Sequence, residues 1–316
     1  MYRYKSWPLV LFSILSLFIM ITTFRIQTVV TIDGNGSQGL RYYEVAVKYG
    51  EPAYCTVWGI GVCKDEDIVI PAYYNGLPVK KIEYGAFQGS SIRSVEIPYT
   101  VTEIADFAFA NCENLSNIYL HAELNEIGER AFAECHQLQE IALPKSLRSI
   151  GYQAFYRCTE LNTLDIEDGV ESIGDYAFAY CASLRSISLP DSIATLGYGA
   201  FEGCESLKNA RLPSILGTLP ERCFYACTKL EKVTMPDLVN TISAEAFYSC
   251  ESLTELTITE DLFYIDKDAF SMCNALSYIE YGGTMKMWEE LCMQYGDYPV
   301  RNCNVHCSDG DYWMYP

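Results

Sequence analysis

The chain has 316 residues, 50% of them hydrophobic and 14% aromatic, which is ample for a packed core and excludes a disordered polymer. Lysine and arginine total 22 against 41 aspartates and glutamates, and the resulting net charge of −19 excludes recognition of a nucleic-acid backbone by charge. An acidic chain of this kind suits basic proteins, cations or neutral glycans instead.

Arg3 and Lys5 precede an uncharged run from Trp7 to Phe24, and Arg25 closes it. Pro8 to Phe24 is 17 residues, close to the shortest helix that crosses a bilayer core of about 30 Å. Residues 1–25 therefore read as an N-terminal signal anchor or a signal peptide. The run ends Ile19-Met20-Ile21-Thr22-Thr23-Phe24, without a small-x-small cleavage site, which favours the anchor. Either way the basic flank stays on the cytoplasmic side and the rest is exported, tethered to the cell membrane or secreted after cleavage. Residues 26–40, with Asp33-Gly34-Asn35-Gly36-Ser37-Gln38-Gly39, read as a flexible tether.

Residues 41–91 form an N-terminal cap ahead of the repetitive part. Cys55 and Cys63 flank Thr56 to Val62 in an expected hairpin, and in an exported chain they are a candidate disulfide clamping that cap.

From residue 92 the chain repeats. Cys112, Cys135, Cys158, Cys181, Cys204, Cys227, Cys250 and Cys273 are spaced by 23 residues without drift. Leu115, Leu138, Leu161, Leu184, Leu207, Leu230, Leu253 and Leu276 keep the same interval, with Ile92 opening the window before them. Such a period means one short unit stacked on itself, a solenoid. Apolar residues at the fourth and sixth places, as in Ile141 and Leu143, give the alternation of a short strand. The proline that often follows (Pro98, Pro144, Pro190, Pro213, Pro236) removes a ladder donor and ends it. The Ile-Gly step at Ile127-Gly128, Ile150-Gly151 and Ile173-Gly174 reads as a turn where the backbone needs freedom. Then an Ala-Phe pair recurs, with Cys223-Phe224 the one variant, and the ladder cysteine lies three residues after each Phe. This segment suits a turn or one helical or 3₁₀ turn on the coil's far side.

The pattern Leu-x-x-Ile-x-Leu-Pro-x-x-Ile-x-x-Ile-Gly-x-x-Ala-Phe-x-x-Cys resembles the BspA-type leucine-rich repeat family of bacterial and protist cell-surface proteins. It covers eight windows over residues 92–275. Ile68 to Phe87 resembles a degenerate first repeat. Residues 276–316, with Tyr281-Gly282-Gly283-Thr284, Trp288 and Val305-His306-Cys307-Ser308-Asp309-Gly310, resemble the family's C-terminal cap. The resemblance implies a leucine-rich repeat solenoid, one short strand per coil, used for adhesion or binding and not for catalysis.

Equivalent cysteines in stacked coils point in parallel, whereas a bridge needs a dihedral near 90°, so the ladder reads as buried thiols filling a small slot. Cys303, His306 and Cys307 bring donors close in sequence, but no second donor pair completes a zinc set. His121, His136 and His306 are the only histidines, and none is placed to serve a nucleophile. No metal, cofactor or catalytic residue is therefore expected.

Function should lie at places the repeat leaves free. The outward strand row Glu96, Tyr119, Ala142, Asp165, Ser188, Arg211, Thr234 and Thr257 has no common chemistry. Around Ala-Phe, by contrast, Tyr152, Tyr156, Tyr176, Tyr180, Tyr198, Tyr225 and Tyr248 fall into a stripe along the solenoid. They either seal the coil edges or form a binding surface for a protein or glycan at the cell surface. The alternatives are an envelope-associated enzyme or sensor acting through the C-terminal segment, where Trp288, Trp313 and His306 gather with three cysteines, or a structural spacer.

Overall fold

The computed structural model describes residues 36–46, 52–120, 123–293 and 303–313, with the backbone of 26–27. The expected anchor or signal peptide of residues 1–25 and most of the tether lie outside the described residues. Among the described residues no helix is long and apolar enough to cross a membrane.

The repeat closes into a solenoid of β-coils with almost no helix. The Leu-x-x-Ile-x-Leu pieces form the expected short strands, such as Glu140–Leu143 and Thr163–Ile166, which pair in parallel 23 residues apart, Ile141 against Leu164. Ser94–Ile97 and Glu140–Leu143 stop where Pro98 and Pro144 follow.

The Ile-Gly step differs from the expectation. Its isoleucine belongs to a second, two-residue strand per coil: Glu126–Ile127, Ser149–Ile150 and Ser172–Ile173 pair in parallel as a second ladder. The glycine serves close approach and not a turn. A Cβ on Gly151 would lie 2.6 Å from the carbonyl carbon of Gly128 in the coil before, so no side chain fits between stacked backbones. Pro220 stands at the equivalent place after Thr218–Leu219 and has no N–H to give, and there the second ladder divides.

On the far side, turns form instead of a helical or 3₁₀ segment. The reason is a pair of left-handed residues in each coil, one before the alanine and one before the cysteine, such as Arg130 (φ 51°) and Glu134 (φ 61°). Ala131 N–H donates to Gly128 O and Cys135 N–H to Phe132 O within the coil, as in type II turns. The intervening N–H groups of Arg130, Phe132 and Glu134 donate to Tyr152, Ala154 and Tyr156 of the next coil at 2.8 Å. Alternate amides thus close turns and link coils, which leaves this buried backbone paired.

Inside, the phenylalanines form a column. Phe87, Phe109, Phe132, Phe155, Phe178, Phe201, Phe224, Phe247 and Phe270 stack with centroids 5.0 to 5.9 Å apart. The ladder cysteines and opening leucines run beside them, buried.

Both ends are covered. At the N-terminal end Arg41–Val45 and Tyr54–Gly59 pair antiparallel, and the second of these joins Leu77–Ile82 in parallel. Ile68 to Phe87 forms a coil with an inserted hairpin, Tyr73–Tyr74 against Leu77–Pro78, turned by the left-handed pair Asn75-Gly76. Tyr42 stacks on Tyr74 at 4.1 Å over the end of the core. At the C-terminal end helix Met285–Met293 buries Trp288 against Tyr281, and Thr284 Oγ1 caps it by accepting from Met287 N–H. Asn304–Cys307 and Gly310–Trp313 then complete the strand ladder.

Candidate binding face

The seven tyrosines lie on the turn side of the coils, where the left-handed residues throw their side chains away from the core. They fall into two files flanking the phenylalanine column. Ahead of the Ala-Phe pair, Tyr152 meets Tyr176 edge-on at 6.3 Å and Tyr176 meets Tyr198 at 5.0 Å. After it, Tyr156 meets Tyr180 edge-on at 5.5 Å, and Tyr225 stacks flat on Tyr248 at 4.9 Å. Tyr152 and Tyr180 are 38% and 37% exposed, and the other five are half-buried. The rings are thus both packed edges and a partly open surface.

Contacts between rings do not follow identical window places. Tyr152 and Tyr176 are 24 residues apart and Tyr176 and Tyr198 are 22 apart. Tyr176 (φ 55°) and Tyr180 (φ 61°) occupy the two left-handed places of their coil, and a one-residue shift around such a place still brings rings together. In the next coil those places are Gly199 and Gly203, where a Cβ would meet the rings of Tyr176 and Tyr180 at 2.9 and 2.5 Å.

Three arginines interleave with the rings. Arg130 lies 5.8 Å from the rings of both Phe107 and Tyr152, Arg157 lies 5.4 Å from Tyr156 and 5.8 Å from Tyr180, and Arg222 lies 3.9 Å from Tyr225. These share the left-handed places with Tyr176 and Tyr180, so comparison of charged residues by window place would have found them. Glu202 ties the two files together. Its side chain is 3% exposed, accepts from Arg222 Nε at 2.9 Å and takes the Tyr180 hydroxyl at 2.5 Å. That hydrogen bond, with burial, pushes the Tyr180 phenol up to about 12. Burial and then Tyr198 raise the Tyr176 phenol as well.

The described cysteines are free thiols. Every ladder thiol, from Cys112 to Cys273, donates to the carbonyl of the phenylalanine 25 or 26 residues earlier at 3.0 to 3.3 Å. Burial raises these thiols, Cys204 to about 12. Cys223 is buried in the same core and stands as a substituted packing position. Cys55 and Cys63, expected as a clamp, stand apart from each other. Cys55 does not open a hairpin of its own; it sits inside the strand Tyr54–Gly59, with Sγ 3.5 Å from Tyr74 O, whereas Cys63 is half-buried after the turn at Gly61.

In the C-terminal cap, strand alternation separates the donors grouped in sequence. Cys303, Val305 and Cys307 face inward while His306 faces out, with Nδ1 2.6 Å from Asp311 Oδ1. Among the described residues no group of His, Cys, Asp or Glu converges as metal ligands do. On the outer strand face the row from Glu96 to Thr257 is exposed and crossed by inter-coil ion pairs, including Lys208–Glu231 and Lys232–Glu255, each at 3.0 Å.

Parallel strands in 23-residue coils around stacked leucine and phenylalanine columns define a leucine-rich repeat solenoid. A profile of the BspA type leucine-rich repeat region matches residues 63–185 and 171–296, in six copies, and the chain belongs to that family. A leucine-rich repeat protein from Bacteroides ovatus is 31% identical over 80% of this chain and 71% of its own, with a TM-score of 0.61. One from Eubacterium ventriosum is 22% identical over 78% and 70%, with a TM-score of 0.50, a likeness of fold. Nothing among curated proteins matches.

Proposed function

We propose that this protein is a non-catalytic, extracytoplasmic scaffold that holds a protein or glycan against its turn face at the cell surface. The observation that carries the reading is the interleaving of Tyr152, Tyr156, Tyr176 and Tyr180 with Arg130 and Arg157 on one face. These rings offer contact area with a hydrogen-bonding tip, and their mutual stacking lowers the entropy lost when a partner orders them. The strand face carries no comparable row. Residues 1–25 serve as the membrane anchor in this reading, with the repeats outside.

The test is a Tyr152→Ser, Tyr156→Ser, Tyr225→Ser variant, assayed for saturable attachment to host and neighbouring-cell surfaces. Attachment should fall about tenfold or more while the melting transition remains cooperative. Unchanged attachment removes the tyrosine face as the binding surface.

A further inference from the structure

The leading file of rings continues towards the N-terminal end beyond the tyrosines. Tyr84 meets Phe107 at 5.4 Å, and Arg130 bridges Phe107 to Tyr152, so the aromatic row runs without a gap back to the first coil. There it ends in an open cleft of about 450 Å³, lined by Arg41, Trp58, Gly59, Gly61, Tyr84 and Gly85 among others. Trp58 is 42% and Tyr84 65% exposed. The edge of Tyr43 supports Trp58 at 5.0 Å and Phe107 supports Tyr84, so both rings are braced from one side and open on the other.

The floor is bare backbone. Gly61 has φ +59°, and a Cβ there would lie 2.2 Å from Gly39 O; Gly85 has φ +60°. A flat ligand can therefore sit against the chain between two aromatic walls. Arg41 is exposed at the rim and, among the described residues, makes no ion pair or hydrogen bond. This stands out in an acidic chain where Arg93, Arg148, Arg157, Arg211 and Arg222 all lie within ion-pair distance of a carboxylate.

We propose that this cleft is a binding subsite for a carboxylate-bearing sugar, of the uronic or sialic type, carried on a glycan. The apolar face of a pyranose stacks on Trp58 or Tyr84, and the Arg41 guanidinium takes the carboxylate through paired N–H donors. A single free cation on a chain of net charge −19 suits one carboxylate and disfavours a dense polyanion. A peptide carboxylate fits less well. Tyr54–Gly59 is paired on both edges, with Arg41–Val45 and Leu77–Ile82, so the cleft offers a peptide no free strand edge.

The proposal rests on the binding role given above but not on its residues, and the two fail separately, since the tyrosine variant leaves this cleft intact. The full chain is titrated with the methyl glycosides of galacturonic acid and of galactose, following tryptophan fluorescence and ligand NMR line width. The acid should bind saturably, and the neutral sugar about tenfold more weakly. Arg41→Gln should reduce the acid to the level of the neutral sugar, and Trp58→Ala should remove both signals. Melting curves of both variants must match the parent for the comparison to count, and Trp58→Phe, which keeps a stacking ring, should retain the preference for acid. Equal binding of the two sugars, a preference that survives Arg41→Gln, no saturable binding of the acid, or stronger competition by a short peptide carboxylate would each overturn it.

Discussion

Cys158 Sγ donates to Phe132 O, 3.2 Å away in the coil before, and that same carbonyl already accepts the N–H of Cys135 at 3.3 Å in its own coil. The thiol therefore both fills a slot and satisfies a second lone pair of a buried carbonyl. Alanine can do neither, and valine fills the slot without donating. We expect Cys158→Ala to lose about 1 to 2 kcal/mol in urea denaturation, from the hydrogen bond and a small cavity together. A loss within error would show that the column is passive filler.

Alkaline pH should weaken the protein through the same column. An unfolded thiol ionises near 9.0, while the folded Cys204 thiol is pushed up to about 12 by burial. Above pH 9 the unfolded chain binds fewer protons than the folded one, so the stability contributed is complete below pH 9 and is lost as pH rises towards 12. The melting temperature under reducing conditions should fall across that window, with Cys135, Cys158, Cys181, Cys227 and Cys250, whose thiols are raised in the same direction, adding to the slope. A flat profile from pH 9 to 11 would contradict the burial of these thiols.

Phe155 stacks between Phe132 and Phe178, each centroid 5.2 Å away, and has no exposed surface. Phe155→Ala removes a ring that both neighbours touch, and the coil spacing, fixed by two strand ladders, prevents collapse into the gap. The expected cost is about 3 to 5 kcal/mol. A cost below about 1 kcal/mol would mean that the column relaxes freely.

The left-handed places give a pair of opposite predictions. Ser249 holds φ 58° where the equivalent coil position is Gly203 at φ 68°. Ser249→Gly should raise stability by up to about 1 kcal/mol, because relief of strain outweighs the added freedom of the unfolded chain. Gly203→Ala should lower it by about 1 to 3 kcal/mol, since its Cβ would also press on the Tyr180 ring. Thermal melts of both variants check the two signs together.

The period, the strand at Leu-x-x-Ile-x-Leu, the stop at proline and the inward Phe, Leu and Cys columns were all legible in the residues, because each is a property of one coil repeated. Alternation decides which side chain faces in, and a 23-residue copy of that decision needs no knowledge of its neighbours. The tertiary structure decided what passes between coils. Gly151 is needed because the backbone of Gly128 lies against it, and left-handed residues before Ala and Cys let rings 22 to 24 residues apart meet. Cys303 and Cys307 part from His306 because the strand that carries them alternates, and Cys55 parts from Cys63 because its strand is paired on both sides. The cleft of Arg41, Trp58 and Tyr84 joins residues from different strands, and only stacking of the coils brings them to one place.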